Sequence, residues 1–162
     1  MTEALIRDCK ESDLYELISL FEAHAVMENY QYTSQGKYEK FKRLIGTEVV
    51  YIKLIEWKDQ IAGYFTYTFD FSTWEAGYYL HLDCLFLKDE YRRKGIGKMI
   101  INYLQEVGVK NNCINIQWQT PQSNKDAIDF KGYWVYSPKI SEVYKKCGAL
   151  RKSKIRFYLS IL

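Results

Sequence analysis

The chain has 162 residues, which lies in the usual range of a single domain and is enough to bury one substantial core. Its composition, 48% hydrophobic, 27% charged and 17% aromatic, excludes a disordered, collagen-like or low-complexity chain. The net charge is only +3 and the basic residues are spread along the chain, so we expect no nucleic-acid partner.

The sequence also lacks the signals of membrane insertion, secretion and metal binding. No apolar run reaches the ~18 residues of a membrane span, and the N-terminus has no signal-peptide pattern, so we expect a soluble cytoplasmic protein without a membrane partner. The four cysteines are isolated and follow no C-x-x-C spacing, which argues against a disulfide framework or zinc site. With only two histidines present, we predict no metal site.

Apolar spacing predicts alternating strands and helices in the first half of the chain. Lys58-Asp59 is predicted as the tight turn of a hairpin. The strand that ends at Leu87 is apolar at nearly every position, which is typical of a strand covered on both faces. In chain order we predict a strand over residues 4–8, a helix capped by Ser12, a helix over 36–45, and an antiparallel meander of strands over 48–57, 60–71 and 78–87.

The second half opens with a helix introduced by Gly95 and Gly97 that ends near Gly108 or Asn111. A strand, a helix and a further strand form the crossover unit that places neighbouring strands parallel, so the sheet should be mixed. The order of elements is that of an α+β layered domain. The remaining elements are predicted as a strand over 113–119, helices over 124–130 and 138–147, and a last strand over 154–162.

The most informative pattern is the segment from Leu85 to Lys98, where an apolar strand leads into a basic loop with two glycines that opens a helix. Backbone N–H groups at a helix N-terminus attract anions, and glycine lets a ligand approach the backbone closely. The segment lacks the P-loop motif and the third glycine of a Rossmann motif. It is therefore a candidate phosphate cradle of another kind, with positive charge from Arg92, Arg93, Lys94 and Lys98.

The loop resembles a known family signature. Arg92-x-x-Gly95-x-Gly97 resembles the R/Q-x-x-G-x-G/A motif of the GCN5-related N-acetyltransferases, or GNAT family, and two further family motifs have counterparts downstream. The segment from Phe69 to Trp74 is most similar to the diamine (spermidine/spermine) and thialysine acetyltransferase branch. The downstream counterparts are Asn124-x-x-Ala127-Ile128-x-Phe130 and Tyr144-x-x-x-Gly148-Ala149.

The resemblance implies one GNAT-like domain over residues 1–162, an α+β fold whose mixed antiparallel and parallel sheet carries helices on both faces. A cationic amine favours an acidic and aromatic pocket, for which Trp74 is a candidate. The resemblance implies acetyl-CoA as the acetyl donor, Tyr144 as the acid that protonates the departing CoA thiolate, and Glu28 beside the amine. It also implies a homodimer that uses the C-terminal end of the chain. The implied cofactor-binding residues are Leu85, Phe86, Leu87, Arg92, Arg93, Lys94, Gly95, Ile96, Gly97, Lys98 and Asn124.

The reaction requires a neutral amine, which points to a proton acceptor near the cofactor. An amine with a lysine-like pKa of about 10.4 is free base in only about one part in 2,500 at pH 7, a cost of ~4.6 kcal/mol. Asp83 precedes the cofactor-binding residues, and the diamine acetyltransferases carry an acid at this position. Its alternative role is a structural aspartate paired inside the sheet, and His81 is the competing proton acceptor.

One region departs from the family pattern. Asn124 and Tyr144 are much further apart than in GNAT relatives, so residues 131–143 are an insertion or replace a helical turn. Asn124 or Ser137 therefore fills the family Asn position, and Asn124 is favoured because it follows the preceding strand at the family distance. The apolar run from Gly132 to Tyr136 predicts an interface or one wall of the acceptor pocket.

The leading functional hypothesis is acetyl transfer to a primary amine of a small molecule, of the diamine, polyamine or lysine-analogue type, by direct attack in a ternary complex. A second hypothesis keeps the cofactor and changes the acceptor to an aminoglycoside-like antibiotic or a protein amine. A third is a non-catalytic acyl-CoA-binding module. The presence of both Asp83 and Tyr144 favours an enzyme, because a binding module needs neither.

Overall fold

The computed structural model of the chain describes residues 4–121, Asn124 and residues 154–160. Within these residues no helix is both long and apolar enough to cross a membrane. The helices predicted over 124–130 and 138–147 lie outside the described residues, apart from Asn124. The elements in chain order are β1 (Ala4–Asp8), α1 (Leu14–Met27), α2 (Lys37–Leu44), β2 (Tyr51–Trp57), β3 (Gln60–Ser72), β4 (Gly77–Leu87), α3 (Ile96–Lys110), β5 (Asn115–Pro121) and β6 (Lys154–Ser160).

The sheet is mixed, as the crossover pattern predicts. The strand order is β1-β2-β3-β4-β5-β6. β1 pairs with β2 and β2 with β3 in antiparallel register, and β5 pairs antiparallel with β6. β4 and β5, which α3 connects, pair in parallel from Leu80 opposite Ile116 to Leu82 opposite Trp118. The predicted strand over 113–119 begins two residues later in the structure, at Asn115.

The described residues form two compact units. The first consists of the residues up to Thr68 together with Asp83–Tyr103, and the second of Phe69–Leu82 and the residues from Leu104 onward. The first unit contains β1, β2, α1 and α2, and the second contains β5 and β6. β3, β4 and α3 each contribute residues to both units.

Helices cover both faces of β3 in the first unit. The Tyr64 ring packs against Phe21 of α1 with centroids 4.5 Å apart, and the Phe65 ring packs edge-on against Tyr103 of α3 at 5.7 Å. Successive side chains of a strand point to opposite faces, so α1 and α3 lie on opposite sides of the sheet. This confirms the predicted α+β arrangement with helices on both faces.

Local chemistry explains the hairpin turn and corrects the start of α1. Lys58 and Asp59 have φ angles of +49° and +63°, the pair of left-handed residues that a two-residue hairpin turn requires. The predicted cap Ser12 is wrong, because Ser12 lies inside a 3-10 turn, Glu11–Asp13, that precedes α1. The side chain that accepts a backbone N–H here is Asp13, whose Oδ2 lies 2.8 Å from the Lys10 nitrogen.

The prediction that β4 is covered on both faces is also wrong. Leu80 and Leu82 are buried, whereas His81 between them is half-buried and Asp83 is exposed. Alternate residues of a strand face opposite sides, and the face that carries His81 and Asp83 is open to solvent at these positions. The largely apolar sequence of β4 therefore did not indicate that buried and accessible positions alternate along the strand.

Candidate active site

A sharp loop joins β4 to α3 and forms the candidate phosphate cradle. Arg93 and Gly95 have left-handed φ angles of +59° and +79°, and the Met99 amide donates to the Gly95 carbonyl at 3.2 Å, which closes the first turn of α3. The N–H groups of that first turn have no acceptor within the helix. An added Cβ at Gly95 would meet no described atom within 4 Å, so the loop surface is open there. Such a surface suits an anionic ligand.

The Arg92 side chain holds this loop in place. Its Nε donates to the Leu87 carbonyl at 3.0 Å, and its guanidinium reaches Asp89 Oδ1 at 2.8 Å and the Met27 sulfur at 2.9 Å. These contacts connect the loop to the end of β4 and the end of α1. Arg92 thus has a structural task that the sequence did not predict, in addition to its positive charge.

The other predicted cations of the loop are exposed. Lys94 Nζ lies 5.0 Å from the centre of the Trp57 ring and 5.5 Å from that of Tyr91, which are cation–π distances. Arg93 and Lys98 are exposed as well, and Ile96 is buried. The loop therefore presents positive charge to solvent around the start of α3.

The predicted cofactor-binding stretch of β4 leads directly into this loop. Phe86 is buried among the core side chains of α1, while Leu85 and Leu87 are half-buried. The Lys88 amide donates to the Ala62 carbonyl at 2.9 Å, which fixes the end of β4 against β3. The parallel pairs with β5 end at Leu82, so residues 85–87 lie beyond the last of these pairs.

Asp83 is exposed, whereas its alternative role, a structural aspartate paired inside the sheet, would require burial. Its carboxylate accepts a hydrogen bond from the neighbouring Cys84 thiol, with Sγ 3.7 Å from Oδ2. Burial, and after it the negative charge of Asp83, raises the pKa of Cys84 to about 12, and Glu28 adds to this rise. The thiol is therefore protonated at neutral pH.

His24 of α1 lies between the Tyr64 hydroxyl and the Glu28 carboxylate. His24 Nδ1 lies 2.6 Å from the Tyr64 hydroxyl, and His24 Nε2 lies 3.7 Å from Glu28 Oε1. Burial, and after it the adjacent Cys84 thiol, raises the pKa of Tyr64 well above its usual range. The spacing of His24 and Glu28, four residues apart on one helix, was the signal available in the sequence.

The second unit contains the other predicted residues that the structure describes. His81 Nδ1 lies 3.6 Å from Asp70 Oδ2, and both line a small open cavity of about 80 Å³ with Tyr79, Gln117, Trp118 and Gln119. Trp74 is 96% exposed in the β3–β4 turn, and Asn124 is half-buried beyond β5. Tyr144, Ser137 and the insertion at 131–143 lie outside the described residues.

A family model described as the Acetyltransferase (GNAT) family matches residues 4–131 of the chain. The chain belongs to the GNAT acetyltransferases. As a member it is an N-acetyltransferase, an enzyme of a family that uses acetyl-CoA to acetylate amines. The predictions of the GNAT fold and of an enzyme are thereby confirmed.

Curated relatives of this GNAT enzyme include thialysine N-ε-acetyltransferases. The one from Caenorhabditis elegans is 26% identical over 113 residues, which cover 70% of each chain. The one from Bos taurus is 36% identical over 69 residues, 43% of this chain and 40% of the relative.

Solved structures share the fold at lower identity. Arabidopsis thaliana Naa50, in complex with the bisubstrate analogue CoA-Ac-MVNAL, has a TM-score of 0.67 at 16% identity and covers 98% of this chain and 99% of its own. The aminoglycoside acetyltransferase meta-AAC0020 from a soil metagenomic sample, in complex with sisomicin, has a TM-score of 0.66 at 22% identity and covers 80% of this chain and 86% of its own. At these identities the likeness shows the fold alone.

Proposed function

We propose that this GNAT enzyme transfers the acetyl group of acetyl-CoA to a primary amine of a small cationic molecule, of the diamine, polyamine or lysine-analogue type. The observation that carries the proposal is the exposed carboxylate of Asp83, which lies two residues before residues 85–87 and accepts a hydrogen bond from the Cys84 thiol. Glu28 is proposed as a second acid for the amine. Carboxylates favour a cationic acceptor. The thialysine acetyltransferases among the relatives give independent support for a lysine-like amine.

The donor binds where β4 passes into α3. Backbone groups of residues 85–87 hold the pantetheine arm and polarise the thioester carbonyl, and the N–H groups at the start of α3 bind the pyrophosphate. Arg93, Lys94 and Lys98 neutralise the phosphates, and Arg92 keeps the loop in shape through the Leu87 carbonyl. Asn124 contributes a further contact.

Asp83 accepts the proton that the amine must lose. Its carboxylate is exposed and so can be reached by an amine from solvent. It lies two residues before the stretch proposed to hold the thioester. Presenting the free amine at pH 7 otherwise costs ~4.6 kcal/mol, which proton transfer to a nearby carboxylate reduces. The free amine then attacks the thioester directly in the ternary complex, and Tyr144 protonates the CoA thiolate as it leaves.

The decisive experiment measures release of the CoA thiol across a panel of diamines, polyamines, thialysine, aminoglycosides and peptides. We expect the diamines, the polyamines and thialysine to give the highest kcat/KM. Turnover only with aminoglycosides or only with peptides would overturn the proposed acceptor class, because those are the acceptors of the second hypothesis. Trp74 is predicted to contribute to this preference.

The two proposed catalytic residues are tested in the same assay. Asp83→Asn should move the pH–rate profile toward alkaline pH, and Tyr144→Phe should lower turnover about 100-fold or more with little change in CoA affinity. Asp59→Asn, the same change at an exposed turn, is the matched control. Wild-type rates across pH in both variants would leave Asp83 and Tyr144 with structural roles only.

We further propose that residues 1–162 form one catalytic domain, that the enzyme is a homodimer and that it is cytoplasmic. Cys9, Cys84 and Cys113 are free thiols, which suits a reducing compartment. Trp134→Glu with Tyr136→Glu, in the predicted interface segment, should weaken the dimer in light scattering while CoA binding stays intact. A wild-type monomer at micromolar concentration would refute the dimer.

A further inference from the structure

His24 lies between a candidate amine-binding acid and the protein core. Its side chain is 13% exposed, compared with 32% for Glu28 one turn further along α1. The imidazole ring lies parallel to the Phe86 ring of β4, with centroids 5.2 Å apart. Its two nitrogens face different partners, the Tyr64 hydroxyl at 2.6 Å and the Glu28 carboxylate at 3.7 Å. The ring is held on one face by Phe86 and at Nδ1 by the Tyr64 hydrogen bond, while Nε2 faces the Glu28 carboxylate at a distance longer than a hydrogen bond.

The chemistry of these partners selects one tautomer. The Tyr64 hydroxyl keeps its proton at neutral pH, because burial and the Cys84 thiol oppose its ionisation. When this O–H donates to Nδ1, the ring proton lies on Nε2 and faces the Glu28 carboxylate. The opposite tautomer would turn the Nε2 lone pair toward that carboxylate, which is repulsive. In the neutral ring the Nε2–H dipole therefore faces the Glu28 carboxylate at 3.7 Å.

We propose that His24, anchored by the Tyr64 hydroxyl, is a positioning residue that orients the Glu28 carboxylate for the ammonium group of the acceptor. The inference rests on the proposed function, in which Glu28 receives a cationic amine. It goes beyond that function because it assigns a role to His24 and Tyr64 and makes amine binding sensitive to the charge of one imidazole.

Protonation of His24 changes what Glu28 can bind. The imidazolium is an internal cation beside Glu28, so it competes with the acceptor for the same carboxylate. The groups that face His24 are Glu28 from its own helix, the Tyr64 hydroxyl from β3 and the apolar Phe86 ring from β4. Three further groups raise the pKa of Tyr64 and so affect His24 only through the Tyr64 hydroxyl; they are Cys84, Tyr32 and Asp83. Amine binding should therefore weaken as His24 takes up a proton.

The first experiment reads the tautomer and does not depend on activity. The chain has only two histidines, so nitrogen NMR of the full-length protein gives two pairs of imidazole signals, one pair for each ring, and His81→Gln assigns them. We expect His24 to be the Nε2–H tautomer in the wild type and a mixture of tautomers in Tyr64→Phe. A tautomer that is unchanged in Tyr64→Phe, or an Nδ1–H tautomer in the wild type, would overturn the anchoring role of Tyr64.

The second experiment measures binding of a diamine to the enzyme with CoA by calorimetry at two pH values, one at which the NMR signals of His24 report the neutral ring and one at which they report the imidazolium. A diamine with lysine-like groups stays protonated at both. We expect wild-type affinity to be about 5-fold or more weaker at the lower pH. His24→Gln, an amide without charge, should remove this difference, whereas His81→Gln should keep it.

Two further outcomes separate this inference from the proposed function. An undiminished pH response in His24→Gln, with CoA affinity intact, would overturn the role of His24 while leaving the proposed acceptor class in place. Absence of diamine binding at both pH values, with the expected tautomer in the NMR experiment, would overturn the acceptor class and with it the positioning role, while leaving the Tyr64–His24 anchor in place.

Discussion

Gly63 is a glycine of the first unit at which an added side chain would meet the backbone of the neighbouring strand. A Cβ built on Gly63 overlaps the Phe86 carbonyl oxygen and lies 3.0 Å from both Cα and Cδ2 of Leu87. Two of these three atoms belong to the backbone of β4, which cannot rotate away as a flexible side chain does. Gly63→Ala should therefore push β4 away from β3 at Phe86 and Leu87, two of the three residues proposed to hold the pantetheine arm.

The magnitude follows from two opposing effects. Overpacking a well-filled interior costs about 1–3 kcal/mol, and contact with backbone atoms places Gly63→Ala at the upper end of that range. Replacing glycine by alanine also lowers the conformational entropy of the unfolded chain, which stabilises the folded state by about 0.4–1 kcal/mol. We expect a net loss of ~2 kcal/mol in the free energy of unfolding, which leaves an ordinary domain folded.

Urea unfolding and calorimetric titration with acetyl-CoA measure both consequences. Gly46→Ala is the matched control, because Gly46 has a φ of +77° and open space around the added Cβ. It should lose about 1 kcal/mol from backbone strain alone and keep wild-type CoA affinity. Gly63→Ala should lose more stability and also bind acetyl-CoA more weakly. If Gly63→Ala has wild-type stability, or has reduced stability with unchanged CoA affinity, the added Cβ does not displace the CoA-binding end of β4.

Two other predictions concern charge. Arg93→Glu with Lys94→Glu should weaken acetyl-CoA binding about 10-fold or more, whereas Lys40→Glu on the exposed side of α2 should not. If calorimetry gives the double variant the same acetyl-CoA affinity as the wild type, the loop is not the phosphate cradle. The Arg7 guanidinium holds the pKa of Asp13 below its usual range. The ionised Asp13 therefore stabilises the folded state at pH values above the usual carboxyl pKa, and this contribution is lost as the pH falls. Asp13→Asn should thus cost about 1–3 kcal/mol near pH 7 in urea unfolding, and a loss that persists undiminished below about pH 4 would contradict this.

Where a feature depends on the backbone preference of a few adjacent residues, the sequence was sufficient to predict it. The turn at Lys58-Asp59 and the glycine-bearing start of α3 are both of this kind. The mixed sheet followed from the order of elements, since a strand–helix–strand crossover makes neighbouring strands parallel. The loop motif led to the GNAT family, because a phosphate cradle is built from contiguous residues.

Tertiary structure decided the features that depend on which distant segments meet. An apolar run cannot reveal which face of β4 is covered, so the exposure of Asp83 had to come from the packing of other elements. Arg92 reaches Met27 across 65 positions of the chain, and His24 reaches Tyr64 across 40. Local propensity contains no information about such pairs. Residue types and spacing therefore identified the family and its candidate residues, while long-range contacts determined how Arg92, His24 and Asp83 are held.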